Sequence, residues 1–340
     1  MAYETKHEIA SKDEILKQLP LDAELESFLE KENQEIKDIL SGKDDRKILI
    51  IGPCSAWPDT AVLKYASILK DIADSVKDKV KIVMRLYTQK PRTTVGWTGP
   101  MIQPDPLSDA DINLGIRYCR KMMIEVLKIG LPLASESLFL DLEPYYSDLI
   151  SYAAIGARTT ESQEHRQYAS MIDIPVGLKN PTSGKIDIAI NSIVAAQNPH
   201  AFAFEGSQVR SSGNPHAHLI LRGGYGGPNI SRTEIDFALE TMIDNAIINP
   251  AVIIDASHEN SVDIASGKKD PLLQSKVIND ILKMKLDFVK GFMVESFMKS
   301  GNQKITSQQA IDLDGLSITD ACIGIDETRK LINMIYGMID

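Results

Sequence analysis

The chain has 340 residues, 43% of them hydrophobic and 25% charged, with 37 basic against 47 acidic side chains and a net charge of −10. That balance excludes a protein that binds nucleic acid or anionic membrane through bulk charge, and three cysteines are too few for a disulfide framework. Apolar runs such as Ile48–Ile51 stop at about five residues, well short of a bilayer span, and the first residues lack the basic and apolar stretches of a secretory signal, so a cytoplasmic protein is expected.

In chain order, Ser11-Lys12-Asp13-Glu14 reads as a capping box ahead of Ile15, Leu16 and Leu19, with Pro20 ending the helix. Asp22 is placed to cap a second helix whose stripe is Leu25, Phe28, Leu29, Ile36, Ile39 and Leu40, ended by Gly42. Residues 1–45 therefore form an N-terminal helical extension, and 46–340 a separate repeat. That repeat runs through strand candidates Lys47–Ile51, Val80–Leu86, Leu131–Ser135, Ala154–Arg158, Pro175–Lys179, Ala201–Phe204, His218–Leu221, Val252–Asp255 and Phe292–Val294. Helical periodicity falls between them, as at Asp59–Val76, Asp109–Ile129, Ser231–Ile247 and Leu272–Lys285. Alternating strands and helices predict a parallel α/β fold, here a (β/α)8 TIM barrel. The candidates exceed the barrel by one. The segment 205–217, rich in Gly, Ser, Asn and Pro, predicts a β-hairpin excursion near residues 201–221, and either flanking run can be the sixth strand.

Ionisable or thiol side chains follow nearly every strand candidate, and barrel strands bring their C-terminal ends to one face. Arg85, Lys90, Arg92, Arg158, Lys179 and Arg222 form a cationic group in an acidic chain. Six mutually repelling cations call for anions, and phosphates and carboxylates of small substrates suit them better than six separate acidic neighbours. Cys54, His258, Glu295 and Asp320 offer a thiolate, an imidazole and two carboxylates, a donor set for one divalent ion such as Mn, Fe, Co or Zn. A strand-end cysteine is by itself more often buried and inert. His216 and His218 alternate along one run and read as a satisfied pair rather than as ligands.

Ile51-Gly52-Pro53-Cys54-Ser55, Met84-Arg85-Leu86-Tyr87, Lys90-Pro91-Arg92-Thr93-Thr94 and Gly156-Ala157-Arg158-Thr159-Thr160 resemble the 3-deoxy-D-arabino-heptulosonate 7-phosphate (DAHP) synthases of the microbial type I alpha subclass. Pro175–Asn180, Leu221-Arg222-Gly223-Gly224, Asp255-Ala256-Ser257-His258, Val294-Glu295-Ser296 and the segment around Asp320 continue the match in order. The resemblance implies condensation of phosphoenolpyruvate with erythrose 4-phosphate, the first step of the shikimate pathway. It also implies a homodimer or homotetramer with no nucleic-acid or membrane partner, an aromatic amino-acid inhibitor, and an interface or regulatory role for residues 1–45. Position by position it implies Cys54, His258, Glu295 and Asp320 as metal ligands, with Arg158 and Arg222 at the phosphoenolpyruvate phosphate. Arg85 and Lys179 match its carboxylate partners, Arg92 and Thr93 the erythrose-phosphate anchors, Lys90 the active-site lysine and Glu136 a water-positioning carboxylate. Asp173, the short excursion and Tyr225-Gly226-Gly227 depart from the family pattern near its inhibitor pocket. The nearest alternatives are a 3-deoxy-octulosonate 8-phosphate type synthase, whose relatives carry a different segment at Lys90–Thr94, and a catalytically silent phosphometabolite-binding barrel.

Overall fold

The computed structural model describes residues 2–92, 94–263, 265–305 and 310–339. Helices α1 (Lys12–Gln18) and α2 (Ala23–Leu40) precede β1 (Lys47–Gly52), α3 (Asp59–Val76), β2 (Val80–Arg85), α4 (Ile112–Ile129), β3 (Leu133–Glu136) and β4 (Tyr152–Ile155). Then come α5 (Gln163–Met171), β5 (Val176–Lys179), α6 (Ile186–Gln197), β6 (Ala201–Phe204), β7 (Ser207–Arg210) and β8 (Ala217–Leu221). The chain continues through α7 (Arg232–Asp244), β9 (Val252–Asp255), β10 (Val262–Asp263), β11 (Lys268–Lys269), α8 (Leu273–Lys283), β12 (Val289–Glu295) and α9 (Ile325–Met338). Strands β1, β2, β3, β4, β5, β8, β9 and β12 close into a parallel barrel in that order, β12 returning to β1. The fold is a (β/α)8 barrel, with short 3-10 turns at Leu140–Tyr145 and Ser147–Leu149 between β3 and β4.

Alternation along each strand separates two cores. Ile48, Ile50, Val83, Ala134, Ala154, Ile220, Ile253 and Met293 pack together inside, while Leu49, Ile51, Met84, Leu133 and Leu219 pack outward with the helices. The sixth barrel strand is β8. Every residue of β8 is buried, whereas β6 is exposed or half-buried throughout and pairs only with β7, in register from Ala201↔Arg210 to Phe204↔Ser207. A parallel barrel strand is covered on both faces, and the β6 run cannot be. Glu205 and Gly206, both at positive φ (45° and 72°), make the two-residue turn between β6 and β7.

The Ser11 capping box and the Asp22 cap form as expected. The α2 stripe is spent on the barrel floor: Ile36, Ile39 and Leu40 join the interior core. Burying three large aliphatic side chains is worth about 1.5–3 kcal/mol each before ordering costs. Lys81 Nζ, beside them, reaches Glu32 at 2.6 Å and Glu35 at 2.7 Å, and Arg46 adds contacts to Glu35 and Asp44. Within the barrel, His218 Nε2 meets the Tyr152 hydroxyl at 2.7 Å and its Nδ1 lies 2.8 Å from the His216 carbonyl. Burial pushes this imidazole down to about 4, so it is a neutral, satisfied core histidine.

Behind β3, Glu143 is buried and accepts hydrogen bonds from the hydroxyls of Tyr146 and Tyr168, the latter at 2.8 Å. Burial outweighs these donors and raises its carboxyl to about 7. A carboxyl that titrates higher folded than unfolded stabilises fully below its unfolded value near 4.5, and that contribution is lost as pH rises through about 7. Glu143→Gln removes the titration. Its stability is expected to gain about 3 kcal/mol on the wild type between pH 4.5 and pH 8. Denaturation midpoints measured across that range test this, and parallel pH profiles would refute it.

Candidate active site

The ends of the barrel strands build one cavity of about 510 Å³. β1 runs into Pro53-Cys54, β2 ends at Arg85, β3 at Glu136, β5 at Lys179, β9 at Asp255 and β12 at Glu295, and Arg222 follows β8 directly. Cys54, Arg85, Lys90, Arg92, Glu136, Arg158, Arg222, His258 and Asp320 all line the cavity. Close packing fixes parts of this wall. A Cβ on Gly156 would lie 2.3 Å from Glu136 Oε1, so only glycine lets that carboxylate stand where it does.

Ligand atoms of Cys54, Glu295 and Asp320 lie within 4.8 Å of one another. A thiol and two carboxylates at that spacing suit a borderline divalent ion, so these residues fit the metal that the sequence implied. Burial and the neighbouring Glu295 would raise the Asp320 carboxyl, and burial would raise Glu295. Lys269 with His258, Arg85 and Lys90 at Glu295, and Lys269 with Lys90 at Asp320, together outweigh these effects, so both carboxylates are held below their ordinary range. Three of the four expected ligands are thus gathered. His258 lines the same cavity without joining the 4.8 Å set; its Nδ1 is 2.8 Å from Asp255 Oδ2 and 2.8 Å from Ser257 Oγ. It adopts φ +54°, a conformation that costs a non-glycine residue about 1–3 kcal/mol and is held by its surroundings. Burial, against the pull of Asp255, pushes its imidazole down, favouring the neutral form that binds metals.

The six cations do not behave alike. Arg85 pairs with Glu295 at 3.1 Å, Lys179 with Asp255 at 3.0 Å and Arg222 with Glu259 at 3.4 Å. Acidic neighbours thus meet these three, because β9, β12 and the turn after β9 each present a carboxylate to the same strand-end face. Even so, the buried Arg85 Nε has no hydrogen-bond partner among the described residues. Lys90 Nζ donates to the Cys54 carbonyl at 2.6 Å and lies 3.2 Å from Cys54 Sγ, tying the lysine to the thiol. Arg92 and Arg158 are exposed at the mouth. Lys179 lies deeper, 3% exposed behind the lining, and Thr93 lies outside the described residues.

Asp255 and Lys269 are the residues that the sequence reading missed. Asp255 is fully buried, and its Oδ2 serves both Lys179 and His258 while Oδ1 takes the Ser257 hydroxyl at 2.7 Å. Burial would raise this carboxyl, but His258, Lys179 and Ser257 hold it well below the carboxylate range. It positions a cavity-lining imidazole and a strand-end ammonium at once. Its signal was a charge inside the apolar run Val252–Asp255, which only buried partners can support.

A second cavity, of about 400 Å³, lies between the start of α1, the 140–145 turn, α5 and the β6–β7 ribbon. Tyr145, Tyr168, Phe202 and Phe204 line it with Lys12, Glu164 and Glu205. Asp173, Tyr225, Gly226 and Gly227 do not; Asp173 is exposed and pairs with Lys37 at 2.9 Å.

Known proteins resemble this chain over nearly its whole length. The chain is 39% identical over 341 residues to a phospho-2-dehydro-3-deoxyheptonate aldolase of Corynebacterium glutamicum, covering 96% of this chain and 90% of that protein. Against the Tyr-sensitive enzyme of that name from Escherichia coli strain K12 the identity is 37% over 322 residues, 93% and 89% of the two chains. The solved structure of the Francisella tularensis phospho-2-dehydro-3-deoxyheptonate aldolase superposes with a TM-score of 0.93 at 33% identity, covering 99% of this chain and 98% of that one. Residues 21–333, from the start of α2 to within α9, match one family throughout, and with the strand-end cations and the thiol–carboxylate cluster inside that span the chain belongs to the DAHP synthetase I family.

Proposed function

We propose that the protein is a metal-dependent DAHP synthase, condensing phosphoenolpyruvate with D-erythrose 4-phosphate to give 3-deoxy-D-arabino-heptulosonate 7-phosphate and inorganic phosphate. The observation that carries this reading is the meeting, in one cavity, of Arg85, Lys90, Arg92, Arg158 and Arg222 with the Cys54–Glu295–Asp320 cluster. Two anionic substrates repel one another, and a cationic cavity offsets that repulsion while fixing their relative orientation.

Arg158 and Arg222 grip the phosphate of phosphoenolpyruvate, while Arg85 and Lys179 hold its carboxylate; the partnerless Arg85 Nε supports an acceptor there. Arg92, with Thr93, anchors the phosphate of the aldose from the exposed rim. Cys54, His258, Glu295 and Asp320 hold the divalent ion, which when bound supplies Lewis-acid polarisation of the aldehyde. C3 of the enol attacks the aldehyde carbon, and water then adds at C2. Glu136 orients that water. The resulting phosphohemiketal loses phosphate as the C2–O bond to the phosphate group breaks. The C2 hydroxyl becomes the ketone, its proton leaving with the phosphate, and the proton released as water adds restores Lys90. Lys90, held against Cys54, supplies the proton that the aldehyde oxygen takes up. With both substrates and Mn²⁺, phosphoenolpyruvate loss should match phosphate release one for one; no turnover with any divalent ion would sink the reading.

Residues 1–45 stand outside this chemistry, and we assign them to regulation and subunit contact in a homodimer or homotetramer. Named relatives are Tyr-sensitive and, in Enterobacter agglomerans, Trp-sensitive. The aromatic-lined second cavity, with Lys12 for a carboxylate and Glu164 and Glu205 for an ammonium, suits such an amino acid. The segment before Ser11 meets this region, since the Tyr145 hydroxyl donates to the Ala10 carbonyl at 2.8 Å. Deleting residues 1–10 is expected to leave turnover within about twofold and to weaken inhibition by phenylalanine or tyrosine about tenfold, a 1.4 kcal/mol effect. Initial rates of both forms with each amino acid test this. Inhibition that survives truncation contradicts the assignment.

A further inference from the structure

We infer that Lys269 is a resident cation of the divalent-metal site: its ammonium bridges Glu295 and Asp320 when no divalent ion is bound, and an incoming ion must displace it. The inference rests on the assignment of Cys54, Glu295 and Asp320 as metal ligands made above.

Lys269 ends the two-stranded β10–β11 ribbon, where it pairs with Val262. Its Nζ lies 2.9 Å from Glu295 Oε2 and 2.9 Å from Asp320 Oδ2. Both carboxylates belong to the set whose ligand atoms lie within 4.8 Å of one another. Two carboxylates so close repel unless a cation lies between them, and here the chain provides one from the Lys269 side chain.

At Glu295 the competition is with the lysine rather than with a movable carboxylate. Glu295 is fully buried; its Oε1 is taken by Arg85, its N–H donates to Gln274 Oε1 at 2.8 Å and its carbonyl accepts from Gln274 Nε2 at 3.1 Å. That carboxylate cannot swing away. Opposite this fixed carboxylate Lys269 is the member that can move, its side chain about one quarter exposed on a four-carbon stem, while Asp320 is about half exposed. A dication with vacant coordination and an ammonium cannot both occupy the space between the carboxylates. Because Lys269 also lines the cavity, the displaced ammonium stays at its wall, adding positive charge where anionic substrates enter. Metal loading and readiness for anions are thereby linked through one side chain.

The test uses Co²⁺ titration of the full chain, read by the thiolate-to-cobalt absorption band, with thermal unfolding of metal-loaded and chelator-treated protein as a second readout. A competing state populated nine-tenths of the time lowers apparent affinity about tenfold. Lys269→Met is therefore expected to bind Co²⁺ at least about tenfold more tightly than wild type. Its melting temperature is expected to fall in the chelator-treated form and not in the metal-loaded one. Lys269→Arg keeps the charge, is suited to both carboxylates, and should bind no more tightly than wild type. Equal Co²⁺ affinity in wild type and Lys269→Met overturns the inference while leaving the metal assignment standing. Absence of the absorption band from every form overturns the metal assignment and the inference with it.

Discussion

Cys54→Ser is expected to abolish turnover while leaving the fold intact. Cys54 follows β1 at the cavity wall, 1% exposed, and supplies the only sulfur in the thiol–carboxylate cluster. A hydroxyl is nearly isosteric but a far poorer ligand for borderline divalent ions than a thiolate. Altering a residue that merely supports a ligand typically costs about 10–100-fold, so losing the ligand itself should cost more than about 100-fold in metal affinity and in activity at trace metal. Chelation of the wild type should reproduce the loss reversibly. Metal content, circular dichroism and initial rate measured on the same sample separate a lost ligand from a lost fold, and full activity of the serine variant at trace metal would remove Cys54 from the ligand set.

The arginines should show the next largest effect, and at the level of one substrate. Arg222 is 6% exposed and paired with Glu259, whereas Arg158 is exposed at the mouth. Contacts from a desolvated guanidinium to a phosphate are worth about 2–5 kcal/mol, and solvent screens the exposed one more. Arg222→Ala should therefore weaken phosphoenolpyruvate binding about 30-fold or more, with Arg158→Ala weakening it less. Calorimetry with phosphoenolpyruvate alone reads this without interference from the second substrate. Unchanged affinity in both variants would place these arginines elsewhere.

Much of the frame was legible in the sequence because its signals are local. The Ser11 and Asp22 caps, the α2 stripe and the β-branched runs each depend on residues a few positions apart, and the caps and the stripe formed as expected. The strand expected at Ala154–Arg158 instead runs over Tyr152–Ile155 and leaves Arg158 in the loop beyond it, because Gly156 and the charged Arg158 end the apolar run. Which of two runs enters the barrel was not legible, because β6 and β8 are similar in apolar content over four or five residues and differ in what covers them. At the site, residue types at strand ends marked the cavity wall. Their pairing was hidden, since Lys179 and Asp255 lie 76 positions apart and meet only through the β5–β8–β9 order. Lys269 was hidden for a different reason: it sits on a two-residue strand, too short for any periodic pattern to reveal.

The closed floor has a kinetic consequence. With Ile36, Ile39 and Leu40 packed into the bottom of the barrel, the described residues close its floor and leave the cavity at the strand-end face. A vessel open at one end fills in order of depth. Under the roles proposed for Lys179, behind the cavity lining, and Arg92, at its rim, the substrate held by the deeper cation would arrive first, and the one anchored at the rim would then stand in its exit. Turnover under those roles would be sequential and ordered, and a rim substrate that arrived early would act as a stopper rather than as a reactant.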